Sequence, residues 1–499
     1  MSWILYSIFL LLVGFVIYKH RFFHLPGLPR VAALWFFALK IIAGLAIWYV
    51  YTYYYPQREY ADIWKYYDDS EIVYKALDQH PADYFKIVSG IGIDDNIQHA
   101  YFDKMRNWDQ QFENNLFNDS HTIIRYNALL RLISAGNYHT HALFMALLAF
   151  IGLCALYHWL YKWLWQWKKI VAFILFVSPS LLFWSSGVLK EGILFFALGM
   201  KILHTWKFAD DRRKYRLVWI AITVLLLAMT KLYMLVFVVP SLLFAIHLLK
   251  NPRFALLKFT ALIIVLIGIA FGIDKAKPEF SPFKIIANKQ NDFLNLARGG
   301  TYLMDSLHVV YVSPDQLIAT QKSFNGYEYV VGPNTNIIYW NIADDFKDTM
   351  RRTTTTHEAY MMLSSTPVAG SLMHVKQLQP NAGSVLSEVP AALQRSIFRP
   401  YPWELKPVMI IPAALENLLM IALVLMMIVW YKKPSSKALF WFCISYALIT
   451  LTVTGLTTPV LGALVRYRIT AIPFLLFAVL SCLDRTKFDR KFPVLSRFC

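Results

Sequence analysis

Apolar runs alternate with short basic connectors along most of this 499-residue chain. The runs fall at about 2–18, 31–55, 138–160, 170–185, 189–206, 217–230, 232–249, 255–273, 407–431, 438–456 and 467–483. Crossing roughly 30 Å of hydrocarbon takes about 20 apolar residues in a helix. The pattern therefore predicts an all-α polytopic membrane protein with about eleven transmembrane helices. Several runs are short for a straight crossing, and the long run around Thr230 reads equally as two helices or as one kinked helix. The first run has no basic segment before it and no small-residue cleavage site, so it reads as a retained helix and not a signal peptide.

The connectors set the expected orientation. Lys19, Arg21 and Arg30, the groups at 162–169, 207–216, 250–258 and 432–437, and the C-terminal residues 485–497 occupy alternate connectors. The positive-inside rule puts these connectors in the cytoplasm. They hold 22 cations against Asp210, Asp211, Asp484 and Asp489, a surplus equal to the whole formal charge of +18. The basic balance thus reads as topology and gives no reason to expect a nucleic-acid partner. Two long polar segments remain for the opposite, external face. Residues 56–137 are acidic, with 13 Asp and Glu against 8 Lys and Arg, and residues 274–406 are nearly neutral. The expected organisation is two helices over 1–55, the first external loop at 56–137 and helices three to eight over 138–273. The second loop or subdomain follows at 274–406, then three helices and a basic tail over 407–499. Loops this long are uncommon unless they carry function. In the second, an amphipathic helix over Val385–Phe398 could lie on the membrane, or its apolar residues could pack a small external subdomain.

Composition agrees with the pattern. Hydrophobic residues make up 57% of the chain and the mean hydropathy is +0.44, which excludes an ordinary soluble enzyme. Trp163, Trp165 and Trp167 suit an interfacial aromatic belt. Four cysteines, three in apolar runs and one at the last position, provide neither a disulfide framework nor a C-x-x-C metal site.

Candidate chemistry centres on residues 178–192, Ser-Pro-Ser-Leu-Leu-Phe-Trp-Ser-Ser-Gly-Val-Leu-Lys-Glu-Gly. Lys190 and Glu191 stand almost inside apolar sequence, at a cost of roughly 2.5–3.5 kcal/mol per charge at bilayer depth. Pro179 and Gly187 suit a break between two helices, whose freed backbone groups could line a wet cavity. The plainer alternative is a salt-bridged hairpin that only turns at the interface. The first loop opens with Glu59-Tyr-Ala-Asp-Ile-Trp-Lys-Tyr-Tyr-Asp-Asp-Ser-Glu71. On a helix, Asp62, Tyr66 and Asp69 share one face and Asp68 does not. A carboxylate at the membrane edge can serve as a general base, two on one face can hold a divalent cation, and either can simply be solvated. Further cations flank apolar segments on the same predicted side: Lys231 beside Tyr233, Arg399 in Phe-Arg-Pro-Tyr-Pro-Trp-Glu404, and Arg466 and Arg468 in Arg-Tyr-Arg. Snorkelling accounts for one or two of them. Arg and Lys together are also the usual holders of phosphate, which at a membrane edge points to a lipid-linked substrate.

These residues resemble the multi-spanning bacterial glycosyltransferases of the GT-C fold, the superfamily of protein O-mannosyltransferases and lipid A aminoarabinose transferases. The resemblance rests on Asp62 after an early helix, on Ser-Gly-x-x-Lys-Glu at Ser186–Glu191 in a central hairpin, and on Arg466-Tyr-Arg468 before a last helix containing Pro473. The segment 398–404 and Leu-Glu-Asn at 415–417 are similar to uncharacterised bacterial relatives of that group. Ile63 follows Asp62 where many members carry a second acidic residue, the family's metal pair is not evident, and the first helix precedes the family's usual start.

The resemblance implies an enzyme of the bacterial inner membrane with its site on the external face. It would transfer a hexosyl or pentosyl group, with inversion, from a polyprenyl phosphate donor to a glycan, lipid or protein acceptor. In that scheme Asp62 is the base, and Lys190 and Arg466, with Lys231 or Arg399, hold the lipid phosphate. An O-antigen or exopolysaccharide polymerase is the main alternative, since it shares external loops and arginines but needs no aspartate base. A lipid-linked glycan transporter would show two related halves, and no such internal symmetry is visible.

Overall fold

The structure is a computed structural model. It describes residues 2–493 except 56–57, 59–60, 106, 109–119, 300, 305–307, 313–316, 324–325, 342–349, 366–368 and 405–407. Glu59, at the head of the acidic segment, lies outside the described residues.

Two apolar helices open the chain, α1 (Ser2–Lys19) and α2 (Ala32–Tyr49), the latter prolonged by a wider helical turn to Tyr54. The first polar segment is then helical: α3 (Asp62–Gln79), α4 (Pro81–Ser89), α5 (Asp95–Tyr101) and α6 (Ser120–Ser134). Pro81 starts α4 with a backbone angle already suited to a helix, and Gly90 ends it at φ 76°, which a side chain would disfavour. Val73, Tyr84, Ile87, Phe102 and Ile124 close a small core of this unit against Met145 and Ile193.

The centre of the molecule is the pair α7 (Tyr138–Leu164) and α10 (Glu191–Asp211). Asn137 caps α7 by accepting from the His139 and Thr140 amides. A Cβ on Gly199 would stand 2.0 Å from the Gly152 carbonyl oxygen, and one on Gly152 2.0 Å from that of Phe195. Only glycine permits this approach, the small-residue packing by which helices associate in lipid. Between the pair run α8 (Lys168–Phe176) and the short α9 (Pro179–Trp184). Next come α11 (Tyr215–Lys250), α12 (Ala255–Ala276) and α13 (Pro282–Ala297).

Residues 301–365 depart from the all-α expectation. They form a seven-stranded sheet of β1 (Thr301–Met304), β2 (His308–Val312), β3 (Leu317–Ser323), β4 (Gly326–Val331), β5 (Asn336–Asn341), β6 (Met350–Thr353) and β7 (Glu358–Ser365). Its order is β3-β4-β7-β1-β2-β5-β6, with each neighbouring pair antiparallel. β-branched and aromatic residues dominate β2 and β5, the composition a pleated, half-buried surface favours. Leu303, Val310, Val312, Val331, Ile337 and Tyr360 form its core.

The expected amphipathic helix over Val385–Phe398 forms in two pieces, α14 (Ala382–Ser387) and α15 (Val389–Phe398). It packs on protein: Ala392 of α15 meets Gly455 so closely that a Cβ there would lie 2.1 Å from the Ala392 carbonyl oxygen. Gly455 belongs to α17 (Lys437–Thr457), which follows α16 (Ile411–Val429). The chain closes with α18 (Leu461–Arg468), α19 (Ile472–Ser481) and α20 (Arg485–Lys491).

Among the described residues, seven helical stretches are long and apolar enough to cross a membrane. They are Ser2–Lys19, Ala32–Tyr54, Tyr138–Phe176, Tyr215–Lys250, Ala255–Ala276, Ile411–Val429 and Lys437–Thr457, with an eighth if the bent pair α18–α19 is one broken span and not a re-entrant loop. The chain is accordingly a mostly helical membrane protein. The run at 138–160 and the first part of that at 170–185 merge into one 39-residue stretch that ends at Phe176, and those at 217–230 and 232–249 merge into one of 36. α10 is not among the seven, since Glu191, Lys201 and Lys207 interrupt it.

Candidate functional site

Three interruptions of helix converge with the start of α3. The first is the break between α9 and α10, residues 185–190. Lys40 of α2, wholly buried, donates from Nζ to the Ser185 carbonyl at 3.0 Å and to Ser185 Oγ at 2.7 Å. Gly44, one turn on, lets the Ser186 carbonyl approach; a Cβ there would sit 2.9 Å from that oxygen. The second is Lys231, which interrupts α11 with φ −150° and ψ 84°. This is the kinked reading of the run around Thr230. The third is the 54° bend between α18 and α19, where Pro473 starts the new helix. Irregular backbone at such depth is tolerated where protein buries it or where it lines a cavity.

Arg466 joins the pieces. Its Nη1 donates to Asp62 Oδ2 at 2.6 Å, while Nε and Nη2 donate to Glu191 Oε1 and Oε2 at 2.8 and 3.0 Å. The fork on Glu191 is bidentate, the geometry a planar guanidinium favours. Asp62 and Glu191 are the first residues of α3 and α10, where the helix dipole favours negative charge. Lys231 Nζ is 3.7 Å from Glu191 Oε1 and 4.7 Å from the centre of the Tyr467 ring. Lys190 lies over the buried Tyr66 ring at 5.2 Å, donates to Ser120 Oγ at 3.3 Å and acts electrostatically on Asp62. With Lys65, which also acts on Asp62, the cluster sets four cations against two carboxylates. Glu191 is 1% exposed, Arg466 12% and Asp62 36%, so the approach is from the Asp62 side. Burial alone would raise the Asp62 carboxyl, but Arg466, then Lys65 and Lys190, outweigh it and hold it below the ordinary carboxylate range.

The expected site residues divide in two. Asp62, Tyr66, Lys190, Glu191, Lys231 and Arg466 come together from segments up to 404 positions apart. Tyr233 lies within electrostatic reach of Tyr467, and its ring packs on Phe237. Asp69, although on the Asp62 side of α3, is buried and accepts from the Asn107 amide at 3.0 Å. It is fastened to the chain that follows α5, which does not favour a metal shared with Asp62. Among the described residues no group of three or more His, Cys, Asp and Glu side chains could hold a metal ion. Asp68 pairs with Arg58 at 2.6 Å.

Arg468 does not join Arg466, a correction to the convergence expected of them. Two positions apart on one helix, they face different ways. Arg468 donates to the Arg399 carbonyl and to Asn417 Oδ1, the latter at 2.8 Å, and so ties α18 to α16 and the end of α15. Arg399 itself pairs with Glu404 at 3.0 Å.

Several participants escaped the reading of the sequence. Lys40 carried a signal, a lone charge inside an apolar run. Glu416, whose Oε1 accepts from Ser178 Oγ and the Ser180 amide at 2.7 and 2.6 Å, carried a similar one. Trp184, 5.4 Å from the Arg466 guanidinium, and Tyr51, within electrostatic reach of Arg466, Asp62 and Glu191, had none, since aromatic residues abound in every apolar run. No protein-family model, curated protein or solved structure matches the chain.

Proposed function

We propose that the chain is an integral membrane glycosyltransferase that moves a sugar from a polyprenyl phosphate donor to an acceptor on the external side of the bacterial inner membrane. The observation that carries this reading is Arg466 bridging Asp62 and Glu191, with Lys231 and Lys190 beside them. The cationic surplus suits a phosphate, and the partly exposed carboxylate suits a hydroxyl acceptor. In the reaction, Asp62 takes the proton of the acceptor hydroxyl as its oxygen bonds to the anomeric carbon. The bond from that carbon to the phosphate oxygen breaks on the opposite face, which inverts the centre. The electron pair leaves on the lipid phosphate, whose growing charge Arg466, Lys231 and Lys190 stabilise. Arg466 also engages Asp62. A bound phosphate competes for that guanidinium and frees the carboxylate for the proton.

The test is sugar transfer by the purified chain carrying Asp62→Asn or Asp69→Asn. General base catalysis supplies about 10²–10⁴-fold, so Asp62→Asn should lose that much at normal protein level. Asp69→Asn should keep most activity. Near-normal turnover in Asp62→Asn would remove this aspartate from the chemistry and favour a polymerase.

A further inference from the structure

The opposite end of α10 builds a second cationic site. Lys207 lies 16 residues beyond Glu191, about 24 Å along the helix axis, where α10 hands over to α11. Arg216, in the first turn of α11, is 7% exposed. Its Nη2 donates to Asp211 Oδ2, whereas Nε and Nη1 are buried with no hydrogen-bond partner among the described residues. His204 stacks on Trp219, ring centres 5.5 Å apart, and its Nδ1 is likewise buried and unpartnered. His204 and Lys207 share a face of α10, and Arg216 and Trp219 a face of α11, each pair three residues apart. His204, Lys207 and Arg216 lie within electrostatic reach of one another.

A buried guanidinium with two nitrogens unsatisfied is costly, and this set of donors calls for oxygen acceptors. The charge around it agrees. Lys207, Arg212, Arg213, Lys214 and Arg216 face only Asp210 and Asp211, and Asp210 is already bound by Lys162 at 2.7 Å. Exposed Leu217 and Val218 flank the site on α11, so its ligand meets apolar surface as well as charge.

We propose that the α10–α11 junction binds the phosphate of an anionic lipid head group. Arg216 Nε and Nη1 and the Nδ1–H tautomer of His204 donate to its oxygens, and Lys207 adds a point charge. Asp211 accepts from Arg216 Nη2, which holds the guanidinium, and also pairs with Arg213 at 3.4 Å. This site stands apart from the Arg466 cluster and does not depend on the transfer reaction.

Native mass spectrometry of the full chain in a neutral detergent tests it, with phosphatidylglycerol, phosphatidylcholine and inorganic phosphate as probes. Phosphatidylglycerol should bind saturably and better than phosphatidylcholine. Lys207→Gln should weaken it about fivefold and Arg216→Gln about tenfold, while Lys250→Gln, in another basic connector, should leave it unchanged. Lys207 is exposed, so its variant decides the matter if Arg216→Gln fails to fold. Wild-type binding by both variants, equal binding of phosphatidylcholine, or an equal loss in Lys250→Gln would overturn the proposal. Displacement of the lipid by equimolar inorganic phosphate would assign the site to free phosphate and overturn the lipid.

Discussion

Asp62 and Glu191 each begin a helix and give their carboxylates to one guanidinium, and this sharing fixes what single substitutions should do. Asp62→Asn leaves the Arg466 fork on Glu191 intact, so activity should fall far more than the yield of folded protein. Arg466→Gln strands the buried Glu191 with Lys231 alone, 3.7 Å away. Removing one partner of a buried pair costs about 3–5 kcal/mol, so the folded yield should drop and the thermal midpoint fall with it. Arg466→Lys should recover part of the yield and less of the activity, because an ammonium cannot make the bidentate fork. The pH dependence follows from Asp62. Its folded carboxyl titrates below the unfolded one, whose ordinary value is about 3.9. The pair therefore stabilises the fold fully above that value and loses its contribution as pH falls through the lower, folded one. In Asp62→Asn this contribution is absent at every pH, so the acid limb of stability should flatten and meet that of the wild type at low pH, and an unchanged limb would separate Asp62 from Arg466. At this scale the sequence was legible where a charge stood alone in apolar surroundings, as with Lys190, Glu191, Lys231 and Arg466. It misled at Arg468, because proximity along the chain says nothing about the face of a helix until the helix ends are known.

Helix breaks, more than helices, arrange the site. Pro179 and Gly187 marked the first of them in the sequence and the ambiguous run at Thr230 the second, while the bend before Pro473 was read as part of one last helix. The clamp on the first break was not foreseen. Lys40 holds Ser185, and Ser185 lies five residues before Lys190 on the same connection. Lys40→Met keeps the length of the side chain and removes both hydrogen bonds. It should leave the two orphaned Ser185 acceptors to destabilise the break by about 1–3 kcal/mol, read as a lower thermal midpoint in detergent. The α7–α10 contact gives a sharper expectation. Gly199→Val drives a side chain into the Gly152 backbone, and overpacking of this kind costs about 1–3 kcal/mol or more. Gly268→Val on α12, where nothing lies within 4 Å of a Cβ, should be neutral. Equal thermal midpoints for the two variants would refute the close α7–α10 approach.

At the scale of the molecule, the apolar character of the chain was readable, because length and hydropathy decide that question, but the expected count of about eleven helices was not: seven stretches reach crossing length among the described residues, since hydropathy does not say where two neighbouring runs continue as one helix. The sheet at 301–365 was not. Its strands are 4–8 residues long, and short apolar stretches in a polar loop do not distinguish a strand from a helical segment by periodicity. Orientation is a separate expectation. Cysteines placed at 100 and 330 should both react with an impermeant thiol reagent in cells stripped of outer barriers, and protection of either would reverse the assignment of sides. The central claim is that the Arg466 cluster receives a lipid phosphate, and binding of unsaturated polyprenyl phosphate to the purified full chain measures it directly. The account predicts saturable binding that polyprenol of the same length does not compete for. Lys231→Gln, which leaves the Arg466 fork in place, should weaken it about tenfold or more, while Lys207→Gln should leave it unchanged. Equal binding of polyprenol and polyprenyl phosphate, or wild-type affinity in Lys231→Gln, would contradict it.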